Sequence, residues 1–294
     1  MKGKTASSTL YIIGGGRVGA SLAYHFSNKG TTPLGLSEVD PERIRFLRKI
    51  LGWSFLEERI SPRKLQQALL VMLAIKDDWL PSVVEDLARL EVSWKGKLVF
   101  HTSGVLPASV LQPLKTKGAH IASIHPIYSF STDPRENKQM DRIWYDAEGD
   151  ESAIQIIKNS LPQIQRRLLL LSAEQKKAIH LASVFYANFY VALADMTLQL
   201  LKNILPTPGK AMTVFEPLIN SAQELVKRHG PAHALTGPVK RGDEETIRIH
   251  LKYLQTHDPD LLEPYGLLIK RLLPLSGLPP LEQEKIRTLL DKEG

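Results

Sequence analysis

The chain contains no cysteine among its 294 residues. This absence excludes disulfide bridges, thiolate metal sites and cysteine nucleophiles, and it fits a reducing compartment. Runs of like charge and basic stripes interleaved with aromatic residues are also missing. The excess of 38 Lys and Arg over 31 Asp and Glu therefore suits anionic small ligands better than nucleic acid.

Long hydrophobic runs are missing as well. The longest strongly apolar stretch, residues 68–75, is far shorter than the roughly 20 residues of a membrane span. The first nine residues are polar, and only four apolar residues follow before a glycine run, unlike the core of a secretion signal. We therefore expect a soluble cytoplasmic protein that binds neither a membrane nor nucleic acid.

The order of the apolar segments predicts two domains. Strands alternate with helices in the first part of the chain, which is typical of a doubly wound parallel Rossmann sheet over residues 1–171. The predicted strands are residues 10–13, 34–36, 69–75, 97–101, 120–124, 143–147 and 167–171. Asp40 as a cap and Pro41 in the first turn predict a helix over residues 41–51. Residues 172–294 are predicted to form an all-helical domain for substrate binding and dimerisation, with a long helix from Ala173 to near Pro206.

A glycine-rich turn follows the first strand and opens a helix. Residues 14–19 read GGGRVG and match the pattern G-x-G-x-x-G. In that context the glycines permit a tight turn, a close approach of pyrophosphate to the backbone and close helix–strand packing. The predicted cofactor-binding residues of this turn are Gly14, Gly15, Gly16, Arg17, Val18 and Gly19.

The end of the second strand bears on the choice between NAD and NADP. Glu38 stands where an acidic residue accepts both ribose hydroxyls of NAD and repels a 2′-phosphate. Ser37 beside it, with Arg17, Arg43 and Arg45 nearby, could serve a 2′-phosphate if Glu38 points away. Glu38 therefore favours NAD. In the alternative, Glu38 is a solvent-exposed loop residue that does not contact the cofactor.

Three further segments lie where strands are predicted to end. In an open α/β sheet, ligands bind beyond the carboxyl ends of the strands. Ile75, His101 with Ser103, and His125 are therefore candidates for contact with the nicotinamide or the substrate. The alternative for both histidines is a structural one, in which they tie loops together by hydrogen bonds.

The long helix is almost wholly apolar from Ala182 to Ala194, interrupted by Asn188. Asn188 could hold the substrate or the nicotinamide amide, or bond within the helix packing or a dimer interface. A helix that is apolar all round must be covered on all sides, which predicts a homodimer. In the alternative, the later helices wrap it within one monomer.

Two other kinds of site are rejected. His229 and His233 are separated by Gly230 and Pro231, which break the helix that would align both on one metal, so no metal site is expected. Ser103 does not lie in a G-x-S-x-G elbow, which argues against a hydrolase nucleophile.

Five segments together resemble a known family. They are GGGRVG at 14–19, HTSG at 101–104, HPIYSF at 125–130, the helix carrying Asn188, and LTGPVKRGD at 235–243. The chain resembles two-domain oxidoreductases with a Rossmann-like domain followed by a DUF2520 domain. Wider relatives include pyrroline-5-carboxylate reductase, ketopantoate reductase, prephenate dehydrogenase and 6-phosphogluconate dehydrogenase. The resemblance implies an all-α second domain that often dimerises, and it makes ketopantoate a candidate substrate.

The chain departs from this family at two positions. Lys76 stands where a proline is usual, and Glu38 stands where relatives often carry an arginine suited to NADP. The cofactor is therefore expected to be NAD or NADP.

The residues and the resemblance predict hydride transfer between nicotinamide and a small carbonyl or imine substrate. His125 is the first choice of proton donor, with Lys177 or Lys76 as substitutes, and Asn188 would orient the reacting group. Arg241 either clamps a substrate carboxylate or caps a helix. The alternative is a non-catalytic dinucleotide-binding sensor or assembly protein.

Overall fold

The computed structural model describes residues 8–205 and 207–293. They divide between Ala187 and Asn188 into two compact units. The division falls beyond the expected boundary at residue 171. The reason is that the helix starting at Ala173 belongs to the first unit, where its Lys176 bonds to the sheet.

The first unit is built around one eight-stranded sheet of order β3-β2-β1-β4-β5-β6-β7-β8. Its strands are β1 Thr9–Ile13, β2 Thr32–Ser37, β3 Leu56–Glu57, β4 Leu70–Leu73, β5 Leu98–His101, β6 His120–Ile127, β7 Trp144–Gly149 and β8 Leu168–Leu170. The doubly wound α/β class predicted from the sequence is confirmed. The short edge strand β3 was not predicted.

Two strands run against the predicted parallel direction. β7 pairs with β6 antiparallel, and β8, which is parallel to β7, shares its reversed direction. No crossover helix lies between Ile127 and Trp144, so the chain re-enters the sheet at the edge where it left. β6 also continues past its predicted end at residue 124, which places His125 inside the strand opposite Asp146.

Helices cover both faces of this sheet. They are α1 Arg17–Ser27, α2 Pro41–Leu51, α3 Pro62–Gln67, α4 Leu80–Arg89, α5 Gln112–Lys115, α6 Glu151–Ser160, α7 Pro162–Gln165 and α8 Ala173–Ser183. One core cluster joins α1 and α6 to the sheet through residues such as Phe26 and Ile157, and the other joins α4 through Leu80 and Leu87. Burial on both faces explains why the central strands read as continuous apolar runs.

Helix α2 shows how local sequence sets element bounds. The Asp40 side chain accepts a hydrogen bond from the Glu42 N–H, and Pro41 occupies the first helical position. Gly52 ends the helix with φ of 61°, a left-handed conformation that glycine adopts without strain. The helix therefore coincides with the segment 41–51 that the sequence predicts.

The second unit is helical, as predicted. It contains α9 Phe189–Leu201, α10 Pro208–His229, α11 Pro231–Ala234, α12 Pro238–Arg241, α13 Glu244–His257, α14 Leu262–Ser276 and α15 Pro280–Glu293. Its core is formed mainly by α13, α14 and α15, with Leu251, Leu273 and Ile286 fully buried. Asp243 caps α13 by accepting hydrogen bonds from the Thr246 N–H and hydroxyl.

The predicted long helix contains a π-helical turn. Val184–Asn188 forms this turn between α8 and α9, so Asn188 closes a local insertion in the helix. The whole helix, Ala173–Leu201, is the one described helix that is long and apolar enough to cross a membrane by length and composition alone. One helix of this kind is weak evidence for a membrane span, and the Rossmann-like domain is a soluble fold.

Candidate active site

The glycine turn packs tightly against the end of β4. Gly14 has φ of +100°, and a Cβ added there would lie 2.3 Å from the Ala74 carbonyl oxygen. A Cβ added to Gly19 would lie 2.0 Å from the Gly14 carbonyl oxygen. Both positions therefore require glycine, which is the close strand–turn–helix packing that the fingerprint predicts.

The N-terminus of α1 is left open for an anion. This helix has neither an acidic residue in its first turn nor a side-chain cap, in contrast to α2. Among residues 8–205 and 207–293, no heavy atom outside the adjacent residues lies within 4 Å of a Cβ added to Gly16, so the described chain leaves the space beside that glycine open. An open helix N-terminus next to a glycine is the surface that a pyrophosphate requires, and the residues present fit a dinucleotide.

Glu38 and Arg43 brace the glycine turn from the side of β2. One carboxylate oxygen of Glu38 accepts the Gly15 N–H at 2.8 Å, and the other accepts the N–H groups of Val39 and Asp40. Arg43 donates to the carbonyl oxygens of Gly15 and Gly16. Glu38 is thus not a freely solvated acid, and the carboxylate lies beside the turn.

The remaining predicted cofactor residues surround the turn in different ways. Arg17 is exposed on the first turn of α1, and Val18 behind it is half-buried against the core. Ser37 is buried at the end of β2 and donates to the Ile12 carbonyl oxygen at 3.5 Å. Ile75 is half-buried, and its Cγ2 lies 2.9 Å from a Cβ added to Gly14.

His101 ends β5 and is fully buried. Its Nδ1 accepts the Ser103 N–H at 3.2 Å, and its Nε2 lies 3.2 Å from the Pro107 carbonyl oxygen. Burial lowers the pKa of His101 to about 4, with a smaller contribution from Lys176. The ring is therefore neutral and has both nitrogens engaged, so the geometry supports the structural alternative over a direct contact with the cofactor.

Ser103 links two strand ends. Its hydroxyl donates to the Asp77 carboxylate at 2.9 Å and accepts the N–H groups of Val105 and Leu106. Its carbonyl oxygen accepts hydrogen bonds from Ser123 and Lys176. Ser103 thus connects the segment after β4 with β6 and α8.

His125 belongs to a buried ionic cluster. Its Nδ1 lies 2.8 Å from one carboxylate oxygen of Asp146, and the Lys176 ammonium donates to the other at 2.5 Å. The side chains of Asp146 and Lys176 are 0% exposed, whereas His125 is 16% exposed. A carboxylate and an ammonium in such a place are stabilised only by their partners, so the three groups depend on one another.

A second histidine stands against His125. The rings of His125 and His180 pack edge to face, with centroids 5.4 Å apart. A Cβ added to Gly104 would lie 2.3 Å from His180 Nδ1 and 3.1 Å from His125 Nε2. A side chain at position 104 would therefore displace the His180 ring. Burial together with His125 lowers the pKa of His180.

The other predicted catalytic residues lie outside this cluster or outside the first unit. Lys177 is 54% exposed and pairs with Glu174 on the solvent side of α8. The register of α8 thus brings Lys176, and not its neighbour, to the sheet. Asn188 lies in the second unit at the end of the π turn, and its predicted role stays a prediction. Arg241 is 64% exposed and lies 3.6 Å from Asp243.

Sequence reasoning missed Asp146, Lys176 and His180. The available signal was an aspartate in the middle of a predicted strand, since a buried carboxylate requires a cation nearby. Two adjacent lysines in α8 supplied that cation, but the helical phase that selects one of them was not deduced.

A mostly parallel sheet with a glycine turn at an open helix N-terminus defines the first unit as a Rossmann-like domain. The family model "Rossmann-like domain" matches residues 3–126, and "Domain of unknown function (DUF2520)" matches residues 143–272. The chain therefore combines a Rossmann-like domain with a DUF2520 domain, each matched by its own family model. No curated protein sequence matches it.

Solved structures with the same fold cover nearly the whole chain. A Bacteroides fragilis protein described as "putative NADP oxidoreductase BF3122" is 25% identical with a TM-score of 0.74, covering 91% of this chain and 98% of its own. Protein TM1727 from Thermotoga maritima is 24% identical with a TM-score of 0.71, covering 92% and 100%. A pyrroline-5-carboxylate reductase from Coxiella burnetii is 14% identical with a TM-score of 0.56, covering 97% and 99%.

Proposed function

We propose that the protein is an NAD(P)-dependent oxidoreductase that transfers a hydride between nicotinamide and a small carbonyl or imine substrate. One observation carries this proposal: the glycine turn and the His125 cluster are joined through the end of β4. Gly14 packs on Ala74, and Asp77, shortly after it, receives the Ser103 hydroxyl. Ser103 in turn accepts a hydrogen bond from Lys176.

In this proposal, a cofactor surface and a proton-carrying group lie at the same end of the sheet. A bound nicotinamide dinucleotide would supply the hydride, with its pyrophosphate at residues 14–19. The chain itself supplies a proton donor in His125, whose Nδ1 is held by Asp146. The similarity to the Bacteroides fragilis protein supports a nicotinamide cofactor.

The proposed activity is tested by following the absorbance of NADH and NADPH with a panel of 2-oxo acids and cyclic imines. We expect turnover with at least one of them. His125→Gln should lower kcat by about 10²- to 10⁴-fold, the usual contribution of a general acid, while dinucleotide affinity remains unchanged. Tight dinucleotide binding without turnover of any substrate would favour the non-catalytic alternative.

The cofactor preference depends on Glu38. Its carboxylate lies beside the glycine turn, where a 2′-phosphate would be repelled. We therefore propose a preference for NAD. Glu38→Gln keeps an oxygen for the Gly15 N–H but removes the charge, so we expect the ratio of NADP to NAD affinity to rise about tenfold in calorimetric titrations. A wild-type protein that already prefers NADP tenfold would contradict this assignment.

We also propose that the protein is a cytoplasmic homodimer formed through its second unit. Helix α9 exposes Val191 to 65% and Leu193 to 44%, and α10 exposes Leu218 to 65%. An apolar groove of about 540 Å³ lies between these two helices. Large exposed apolar side chains that cluster in this way are typical of a protein–protein contact. Under two-fold symmetry, the same two helices of a second copy would pack against them.

Light scattering at micromolar concentration tests the dimer. We expect a mass of about twice the 32.9 kDa of one chain. Leu218→Glu should shift the equilibrium towards the monomer because it places a charge in the apolar groove. Leu281→Glu, at an exposed leucine of α15 outside that groove, is the matched control. A wild-type mass near that of one chain would contradict the proposal.

A further inference from the structure

We infer that Asp146 and Lys176 are positioning residues that hold His125 ready to protonate an oxygen, so that the substrate of this site is a carbonyl compound rather than an imine. The inference rests on the proposed function and deepens it. It starts from the fact that both oxygens of the buried Asp146 carboxylate are occupied, one by Lys176 and one by His125.

The position of the proton on His125 follows from its partner. An ionised carboxylate only accepts hydrogen bonds, and the two oxygens of Asp146 face Lys176 and His125. The His125 nitrogen that faces Asp146 must therefore carry its hydrogen. The hydrogen stays on Nδ1 whether the ring is neutral or charged, and the second proton comes and goes at Nε2.

The Nε2 atom of His125 lies beside Gly104 and the His180 ring. Within residues 8–205 and 207–293, no hydrogen-bond partner is found for this atom. The ionisable groups around His125 are Asp146 on β7 and Lys176 and His180 on α8, with Asp77 acting on His180. Nε2 is thus the atom of the cluster that is left for a ligand.

The net charge of the cluster depends on the His125 ring. The charges of Asp146 and Lys176 cancel, so a protonated His125 gives the cluster a net positive charge. A carbonyl becomes negatively charged on its oxygen when its carbon receives a hydride, and it needs both that charge and a proton. An imine must be protonated before it accepts a hydride, and the resulting iminium ion develops no negative charge for the cluster to stabilise. An iminium ion that arrives already protonated is repelled by the positive cluster.

A bound reduced nicotinamide would supply a hydride to the carbonyl carbon, and the π electron pair would move to the oxygen. The oxygen then forms an O–H bond as the Nε2–H bond of His125 breaks, which leaves an alcohol, oxidised nicotinamide and a neutral ring. Solvent returns the proton to Nε2.

The positioning is tested without cofactor, by nitrogen-15 NMR of the histidine rings. We expect His125 to carry its hydrogen on Nδ1 in the neutral wild-type ring. Asp146→Asn should populate the other tautomer, because an asparagine amide donates as well as accepts. If that variant does not fold, the double variant Asp146→Asn with Lys176→Met removes both buried charges together. A neutral wild-type ring protonated on Nε2 would overturn the inference.

The substrate class is tested by comparing 2-oxo acids with 1-pyrroline as hydride acceptors. We expect faster turnover of a 2-oxo acid, and a loss of about 10²- to 10⁴-fold in its kcat in Asp146→Asn. The matched control is Asp150→Asn with Lys115→Met, since Lys115 and Asp150 form a 2.6 Å pair near the protein surface. Faster reduction of 1-pyrroline that is insensitive to Asp146→Asn would overturn the inference while leaving the reductase function intact.

Failure of the proposed function has a different signature. A protein that turns over neither class would refute the reductase activity and, with it, the assigned substrate class. The tautomer of His125 would still decide whether Asp146 positions the ring, because that measurement needs neither cofactor nor substrate.

Discussion

Gly16→Val is expected to weaken binding of NAD and NADP by at least about 100-fold while the protein remains folded. The valine side chain would project into the space beside the N-terminus of α1, where no described atom outside the adjacent residues lies within 4 Å of an added Cβ. This space is the approach path of the pyrophosphate, so the substitution blocks the ligand without displacing a neighbour in the protein. Isothermal calorimetry measures the affinity, and circular dichroism confirms the fold.

The matched control for this experiment is Gly209→Val. A Cβ added to Gly209 also has no heavy atom within 4 Å, but this glycine lies in α10 of the second unit, far along the chain from the glycine turn. We expect its dinucleotide affinity to equal that of the wild type. A folded Gly16→Val protein with unchanged affinity would show that the turn does not hold the pyrophosphate.

Lys176→Met is expected to lower the free energy of unfolding by about 3–5 kcal/mol. Both Lys176 and Asp146 are 0% exposed, so removal of the ammonium leaves a buried carboxylate without its cation. Urea denaturation measures the change. Lys177→Met is the matched control, because Lys177 is 54% exposed and its surface pair contributes at most about 1 kcal/mol.

Partial rescue would identify the cause of this loss. Replacing Asp146 by leucine in the Lys176→Met background removes the unpaired buried carboxylate. We expect this change to restore a large part of the lost free energy of unfolding. Equal stability of Lys176→Met and Lys177→Met would contradict the buried ion pair.

The sheet and its glycine turn were predictable because their signals are local. The apolar run before Gly14 and the fingerprint spacing identify strand, turn and helix within a few residues of each other. Helix α2 was predicted with the correct bounds, since Asp40 with Pro41 and then Gly52 mark its ends. Short-range steric and hydrogen-bonding preferences are sufficient for such elements.

The polar cluster was less predictable because its members are far apart in the sequence. His125 was singled out as a residue at a strand end, but its partner Asp146 depends on β7 running antiparallel to β6. The choice between Lys176 and Lys177 depends on the phase of α8 against the sheet. The strand direction and the helix phase both follow from tertiary packing, and the hydrophobic periodicity of either segment alone does not predict them.

The antiparallel pairing of β6 and β7 makes the acid–base pair a property of strand register. His125 and Asp146 are directly opposite each other, and so project from the same face of the sheet. A shift of the β6–β7 register by one residue would turn Asp146 to the opposite face of the sheet and leave Lys176 without its ionic partner. A single deletion within β7 should therefore dismantle the pair.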